Sequence, residues 1–203
     1  MVSKDRLKEY RSKRNFGSTP EPSGDEEPGG AGDRPRFVIQ KHDASSLHYD
    51  LRLEIGGTLA SWAVPKGPST DPSDKRLAVR TEDHPLEYAD FEGVIPEDEY
   101  GGGAVIVWDA GPYRNLKEDD GVSLEDALED GHLTVWLEGR KLRGGYALTQ
   151  TGMRGDPRNW ILVKMDDDEA DARRNPTGTE PESVLSGRTV EEVRDEDGGG
   201  EES

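Results

Sequence analysis

Short runs with alternating apolar and polar positions recur along the middle of the chain: RFVIQKH, HYDLRLEI, TLASWAVP, RLAVRTE, AVIVWDA, HLTVWLEG, KLRGGYALTQT and NWILVKM. A period of two over a handful of residues, bounded by turn formers, is the pattern of half-buried β-strands. In EIGGTLASW two such runs are joined through Gly56 and Gly57, which predicts a tight hairpin. One stretch, GVSLEDALEDG, has helical spacing instead. Ser123 is placed to cap it, with Asp126 three residues later; Leu124, Ala127 and Leu128 supply an apolar side, and Gly131 a stop. Eight or so short strands and one short helix predict a mainly β fold, a single compact β-barrel domain.

The pattern fails at both ends. Residues 1–35 open with a basic piece, DRLKEYRSKR, and pass into GSTPEPSGDEEPGGAGDRP; residues 166–203 are acidic and almost free of aromatics. Such composition buries too little apolar surface to offset ordering entropy. The expected organisation is a mobile N-terminal arm over 1–35, a barrel over 36–165 and a disordered acidic tail over 166–203.

Composition changes the picture in two ways. The formal net charge is −18, opposite in sign to a general phosphate binder, and the acids are spread along the whole chain. This resembles proteins of salt-loving organisms, so the charge is read as adaptation to the solvent and any partner is sought locally. There is no cysteine, which excludes disulfides, thiolate metal sites and cysteine nucleophiles. No apolar run is long enough to span a bilayer or direct export, so the expectation is a cytoplasmic protein without a membrane partner.

Two of the four histidines fall in QKHDASSLHYDLRLE. Strand alternation puts His48, Asp50 and Arg52 on one face and Tyr49, Leu51 and Leu53 on the other. His42, on the far side of the turn-like DASS, is positioned to return to the same site. Two imidazoles and a carboxylate suit a divalent transition metal, with Arg52 beside it as a fork for phosphate or carboxylate. In KRLAVRTEDHPLEY the same alternation places Arg76, Arg80, Glu82 and His84 on one face, against Leu77, Val79 and Thr81. His132, in DGHLTVW, reads as a surface histidine, and Asp43 as a turn residue. The glycines of YGGGAVIVWD lead into a strand and lack the Lys-Ser/Thr ending of a phosphate loop, so they read as a tight turn with close backbone approach.

Two enzyme classes fit these residues. His48-x-Asp50 with a distant His84 matches the facial triad of non-haem Fe(II) oxygenases; a metal with several arginines, a lysine in VPKGPS and a further histidine fits phosphoester hydrolysis, which the number of cations favours. A non-catalytic nucleic-acid-binding module would use Arg52, Arg76, Arg80 and Arg140 but leaves the histidines unexplained. EGVIPEDEYGGG resembles part of ATP-dependent DNA ligases, yet no lysine lies in a Lys-x-Asp-Gly motif.

FVIQKHDASSLHYDLRLE, WAVPKGPS, RLAVRTEDHPLEYADFEGVIPEDEYGGGAVIVWD, GRKLRGGYALTQT and NWILVKM together resemble the 3'-phosphoesterase domain family of bacterial DNA ligase D and its free-standing relatives; EYRSKRNFGSTPEP is similar to the family's N-terminal segment. The resemblance implies a Mn2+-dependent enzyme acting on a DNA primer-template. It would remove a 3'-terminal ribonucleoside, a 3'-phosphate, or both, to leave a 3'-hydroxyl for a separate ligase or polymerase, alongside an end-binding repair protein. It also implies His42, His48 and Asp50 as metal ligands, Arg52 and His84 on the scissile phosphate with His84 a candidate general acid, and Tyr88 in support. Lys66 and Arg76 match positions associated with phosphate binding, Glu82 a position associated with activity, and Gln40 a supporting one. Arg14 and Glu21 match positions used in the arm, whereas Asn15 stands where an aspartate is usual.

Overall fold

Alternation along the chain becomes strand pairing in the structure, a computed structural model that describes residues 4–25 and 32–198. A 3-10 turn at Lys4–Leu7 runs into helix α1 (Lys8–Ser12). Strands β1 (Arg36–Asp43), β2 (Leu47–Ile55), β3 (Thr58–Val64) and β4 (Arg76–His84) follow as an antiparallel meander. After a 3-10 turn at Leu86–Asp90 come β5 (Gly93–Ile95), β6 (Gly103–Asn115), α2 (Leu124–Asp130), β7 (His132–Glu138), β8 (Arg143–Gln150) and β9 (Asn159–Lys164). Short helices α3 (Pro176–Thr179) and α4 (Val190–Asp197) complete the described chain.

The sheet order is β1-β2-β3-β4-β9-β8-β7-β6-β5, and a further β1–β6 pairing closes eight strands into a barrel, leaving β5 as an added edge strand. The eight barrel strands are the eight expected from the alternation. β5 is only three residues long, too short to show a period. The Gly56–Gly57 turn has φ of 61° and 82°, as a two-residue hairpin turn with both residues left-handed requires. Ser123 caps α2 by accepting from the Asp126 N–H, and Gly131 ends it at φ 81°.

One face of each of the eight barrel strands fills the interior. Tyr49, Leu51, Leu53 and Ile55 of β2 meet Phe37, Ile39, Trp62, Trp108, Tyr146 and Trp160 there, and α2 adds Ala127 with Val122, Leu124 and Leu128 packed alongside. A second cluster lies on the outer face, where Val38, Leu59, Val105 and Val107 are covered by Tyr10 of α1 and by Tyr88, Ala89, Phe91 and Ile95. That cover makes the outer face around Val38 and Leu59 a buried surface, not a wet one.

The two terminal expectations need correction over the described residues. Residues 4–25 are docked on the barrel, with Leu7 and Tyr10 buried and Arg6 paired to Asp83; residues 26–31 fall outside the described residues. Beyond Met165 the chain through Gly198 is also packed. Trp108 Nε1 donates to the Glu180 carbonyl at 2.7 Å, Tyr49 Oη to Thr177 O at 3.4 Å, and Lys141 Nζ to Glu180 O at 2.9 Å. Val190 and Val193 of α4 bury against Ala104 and Ile106, and Thr189 with Glu192 forms a reciprocal cap at its start. A few apolar anchors and backbone carbonyls suffice here, because they meet barrel groups that would otherwise lack partners.

Candidate active site

The β1–β2 hairpin sets His42 directly opposite His48, and Gln40 opposite Asp50. Opposed residues share a face, so the two imidazoles and the carboxylate converge. Ligand atoms of His42, His48 and Asp50 all lie within 4.8 Å of one another. Their hydrogen bonds reveal what the group lacks. His42 Nε2 is 2.6 Å from the Gly101 carbonyl and His48 Nδ1 is 3.1 Å from the Ser46 carbonyl, acceptors that fix a proton on each of those nitrogens. In the neutral rings the other nitrogens, His42 Nδ1 and His48 Nε2, then face Asp50 Oδ2 bare, at 3.5 and 3.2 Å. Lone pairs directed at a carboxylate call for positive charge between them, either an extra proton or a metal ion. Histidines held by outer carbonyls are how proteins orient imidazole ligands, so the residues present fit a metal.

The electrostatics agree. Burial pushes the Asp50 carboxyl up, but the Arg52 guanidinium and the two imidazoles hold it well below the usual carboxylate range. Burial works against a charged His48, yet the hydrogen bond and charge of Asp50 outweigh it and raise that imidazole.

The other half of the cavity carries the cations. Arg52 lies two residues beyond Asp50 on the same face; its Nε donates to Gln40 Oε1 at 2.7 Å, and its Nη2 is 3.6 Å from Asp50. Gln40, fully buried, uses its own amide to donate to Tyr88 O at 2.8 Å and Phe91 O at 3.1 Å. Arg14 comes from the arm: Nε bonds Glu21 Oε1 at 2.9 Å and Nη1 bonds Glu82 Oε1 at 3.2 Å. Between the two guanidiniums lies His84, with Nδ1 3.2 Å from Arg52 Nη1 and Nε2 3.4 Å from Arg14 Nη2. Burial and those two positive charges hold His84 well below the usual imidazole range, so its ring is neutral. The Glu82 carbonyl 2.9 Å from Nδ1 is an acceptor that places its proton there and directs the bare Nε2 toward Arg14.

Tyr88 Oη donates to Glu21 Oε1 at 2.7 Å. Burial and that carboxylate push the phenol well up, so it stays protonated.

The expected alternation of β4 fails at one point, and the failure builds the site. Leu59 pairs with His84 but Ser61 with Thr81, so two residues of β4, Glu82 and Asp83, oppose one residue of β3. This bulge returns Glu82 and His84 to the outer face beside Thr81. Arg80 instead pairs with Trp62 on the inner side, its guanidinium 5.0 Å from that ring and its Nη2 2.7 Å from Asp83.

Arg14, Glu21, His42, His48, Asp50, Arg52, Glu82, His84 and Tyr88 thus line one cavity of about 230 Å³. Lys66 and Arg76 do not line it: Lys66 is exposed in the turn after β3, and Arg76 lies opposite Leu162 and pairs with Asp74. His84 is not part of the metal-type group, so the triad His48-Asp50-His84 is not formed; His42 takes the third position. Asn15 is exposed and its Oδ1 accepts from the Gly17 N–H. His132 is on the surface, with Nδ1 2.8 Å from Thr149 Oγ1.

Three lining groups had no sequence signal of their own. Strict alternation puts Thr81 on the opposite face, yet it lines the cavity, and its buried hydroxyl has no hydrogen-bond partner among the described residues. Tyr100 stands at the mouth, and the Gly101 carbonyl holds His42. The glycine run that follows is needed for close approach: a Cβ on Gly103 would sit 2.1 Å from the Asp43 carbonyl, and one on Gly102 2.7 Å from that of Pro96.

Comparison with known proteins gives a consistent result. Residues 40–150 match the family model described as the DNA Ligase D 3'-phosphoesterase domain. The chain is similar to the "Multifunctional non-homologous end joining protein LigD" of Pseudomonas aeruginosa, 51% identical over 192 residues, covering 94% of this chain and 22% of the relative. It is also similar to the protein of the same description from Mycolicibacterium smegmatis, 46% identical over 164 residues (80% of this chain, 21% of that one). A third relative is "Multifunctional non-homologous end joining DNA repair protein LigD" of Mycobacterium tuberculosis, 48% identical over 161 residues (79% and 20%). The chain therefore spans about a fifth of the length of these curated relatives.

Proposed function

Because this chain belongs to the DNA Ligase D 3'-phosphoesterase domain family, we propose that it hydrolyses phosphoester bonds at the 3' end of a DNA primer strand. It removes a terminal ribonucleoside, a terminal phosphate, or each in turn, and leaves a 3'-hydroxyl. The observation that carries this reading is the pairing, in one cavity, of a His-His-Asp group with two buried guanidiniums and a neutral imidazole. An oxygenase has no use for the second arginine, and a passive binding module has no use for the histidines.

His42, His48 and Asp50 hold the metal, which we take to be Mn2+; when bound it polarises phosphoryl oxygens as a Lewis acid. Arg52 and Arg14 grip the non-bridging oxygens from two sides, and Thr81 offers its unused hydroxyl to the same phosphate. Gln40 keeps the Arg52 fork in plane, Glu82 does the same for Arg14, and Tyr88 anchors Glu21 behind it. His84 is neutral while the cavity holds only the two guanidiniums. The negative charge of an entering phosphate offsets them and lets Nε2 take up a proton, which it delivers to the leaving oxygen as water adds to phosphorus and the P–O bond breaks. That oxygen is O5' of the departing ribonucleoside or O3' of the primer. Lys66 and Arg76, outside the cavity, serve flanking phosphates. We place the protein in non-homologous end joining, working ahead of a separate ligase or polymerase and with an end-binding protein.

The test uses a labelled primer-template ending in one ribonucleotide or in a 3'-phosphate, with and without Mn2+, at low and high salt. Both ends are expected to be processed only with metal. His48→Ala and Asp50→Ala are expected to lose both reactions and Mn2+ binding by paramagnetic resonance while keeping the barrel's circular dichroism. Wild-type rates in either variant would remove the ligand assignment.

A further inference from the structure

Arg14, Arg52 and His84, which take the scissile phosphate, are no more than 4% exposed, whereas Tyr100 in the same lining is 48% exposed. A phosphate held among the buried groups leaves the base, at the far end of the nucleoside, toward that exposed side. Drawing the scissile phosphate in among Arg14, Arg52 and His84 also pulls that nucleoside away from the neighbouring base, so it loses its stacking partner. The retained strand suffers no such loss, because its last base stays stacked on the duplex.

Among the described lining residues, one broad flat surface is open at the mouth. Tyr100 is 48% exposed, while Tyr88, the other aromatic of the lining, is 2% exposed and engaged by Glu21 and Arg52. The Tyr100 ring is held in place by the arm, with Lys13 Nζ 4.9 Å and Arg14 Cζ 5.3 Å from its centroid. Such contacts fix a ring without burying it. The residue is also one peptide away from the carbonyl that positions His42, and its turn is closed by Glu99 N–H to Pro96 O at 3.0 Å and Gly102 N–H to Glu99 O at 3.1 Å. A rigid, half-exposed aromatic beside an electropositive arm is how single-stranded nucleic acid is gripped without reading its sequence.

We propose that Tyr100 forms a nucleobase-stacking subsite for the departing 3'-terminal ribonucleoside. This rests on the phosphoesterase reading above and adds the group that distinguishes its two substrates. The subsite serves ribonucleoside removal, where a base departs, and has nothing to stack on when the end is a bare 3'-phosphate. Any of the four bases suffices.

The test compares kcat/KM on three Mn2+-supported substrates: a terminal ribonucleotide, a terminal abasic ribose and a 3'-phosphate. For Tyr100→Ala the ratio of ribonucleotide to 3'-phosphate processing is expected to fall about five- to a hundredfold, mainly through KM, while Tyr100→Phe keeps the wild-type ratio. The wild-type protein, which needs no mutation to fold, is expected to lose a similar factor on the abasic end, and Tyr100→Ala to lose nothing further there. An unchanged ratio in Tyr100→Ala, equal losses on both ends, or full wild-type activity on the abasic end overturns the subsite alone. A wild-type protein inert on every end overturns the phosphoesterase reading itself.

Discussion

Gln40 has no charge and no place for substrate, yet it joins the two halves of the site. Its Oε1 takes the Arg52 Nε and its amide ties down the backbone at Tyr88 and Phe91. Gln40→Leu takes the partner from the Phe91 carbonyl and from the Arg52 Nε–H, while the Tyr88 carbonyl keeps only the Phe91 N–H, a loss on the order of 1–3 kcal/mol for a buried unsatisfied group. The expected result is a lower melting point together with a rise in KM for the phosphate end of at least about tenfold, since a misaligned fork loses its bidentate grip. Retention of wild-type KM would show that Asp50, His84 and the Tyr88 ring hold Arg52 without Gln40. Asp109 shows the same logic without catalysis: burial raises its carboxyl, and the N–H groups of Leu142, Lys141 and Arg140 bind it, so it shapes the β7–β8 turn. An isolated buried carboxylate is therefore no guide to the active site.

At the scale of elements, two irregular pieces decide the chemistry. The bulge in β4 moves Glu82 and His84 onto the site face and sends Arg80 to the other; a perfectly alternating strand would have kept Arg80 with them. The arm then lays Arg14 against Glu21 and Glu82, with these three side chains no more than 4% exposed. Arg14→Ala leaves Glu21 buried without its charge partner and Glu82 with Lys13 alone, which costs about 3–5 kcal/mol. The pH dependence has a definite sign. Burial works against the Glu82 carboxylate, but a backbone hydrogen bond and the charges of Arg14 and Lys13 hold it below the usual range. A depressed carboxyl contributes stability above its unfolded value of about 4.3 and loses it as pH falls through the folded value. The gap between wild type and Arg14→Ala in denaturant melts is therefore expected to be widest near neutrality and to close below about pH 4. A gap that stays constant across that range would show that Arg14 stabilises by packing, not charge.

The whole molecule depends on its ends as much as on its barrel. Deleting the segment that carries α4 uncovers Ala104 and Ile106 and removes the buried Val190 and Val193. At about 1.5–3 kcal/mol per buried valine, the loss is at least about 3 kcal/mol, a fall of roughly 6–12 °C in Tm; calorimetry of the shortened chain checks it. The net charge of −18 acts on the entire surface. Self-repulsion among exposed acids is screened over about 10 Å at 0.1 M salt, so Tm is expected to rise with added KCl. DNA binding is expected to weaken over the same range, giving an activity optimum at intermediate salt; melting indifferent to salt would remove the halophilic reading.

Much of this protein is legible because it is local. The eight barrel strands, the Gly56–Gly57 hairpin and the Ser123-capped helix follow from periods of two and 3.6 and from turn chemistry acting over a few residues. So does the convergence of His42, His48 and Asp50, which needs only one hairpin in register. What alternation cannot tell is which face will be covered, or where a bulge will shift the count. Strict alternation therefore puts Thr81 and Arg80 on the wrong sides, Lys66 and Arg76 lie outside the cavity, and the barrel is legible without the identity of β1 and β6 as the strands that close it. The acidic tail reads as unstructured because its composition offers few apolar residues, but its few anchors and backbone carbonyls bind groups on the barrel distant in sequence. The chain alone determined the metal-type ligands and the barrel wall that presents them, since both arise from neighbouring residues. Only the tertiary structure decided that two arginines, one histidine and an exposed tyrosine from separate segments meet around one cavity, since that meeting depends on contacts between residues far apart along the chain.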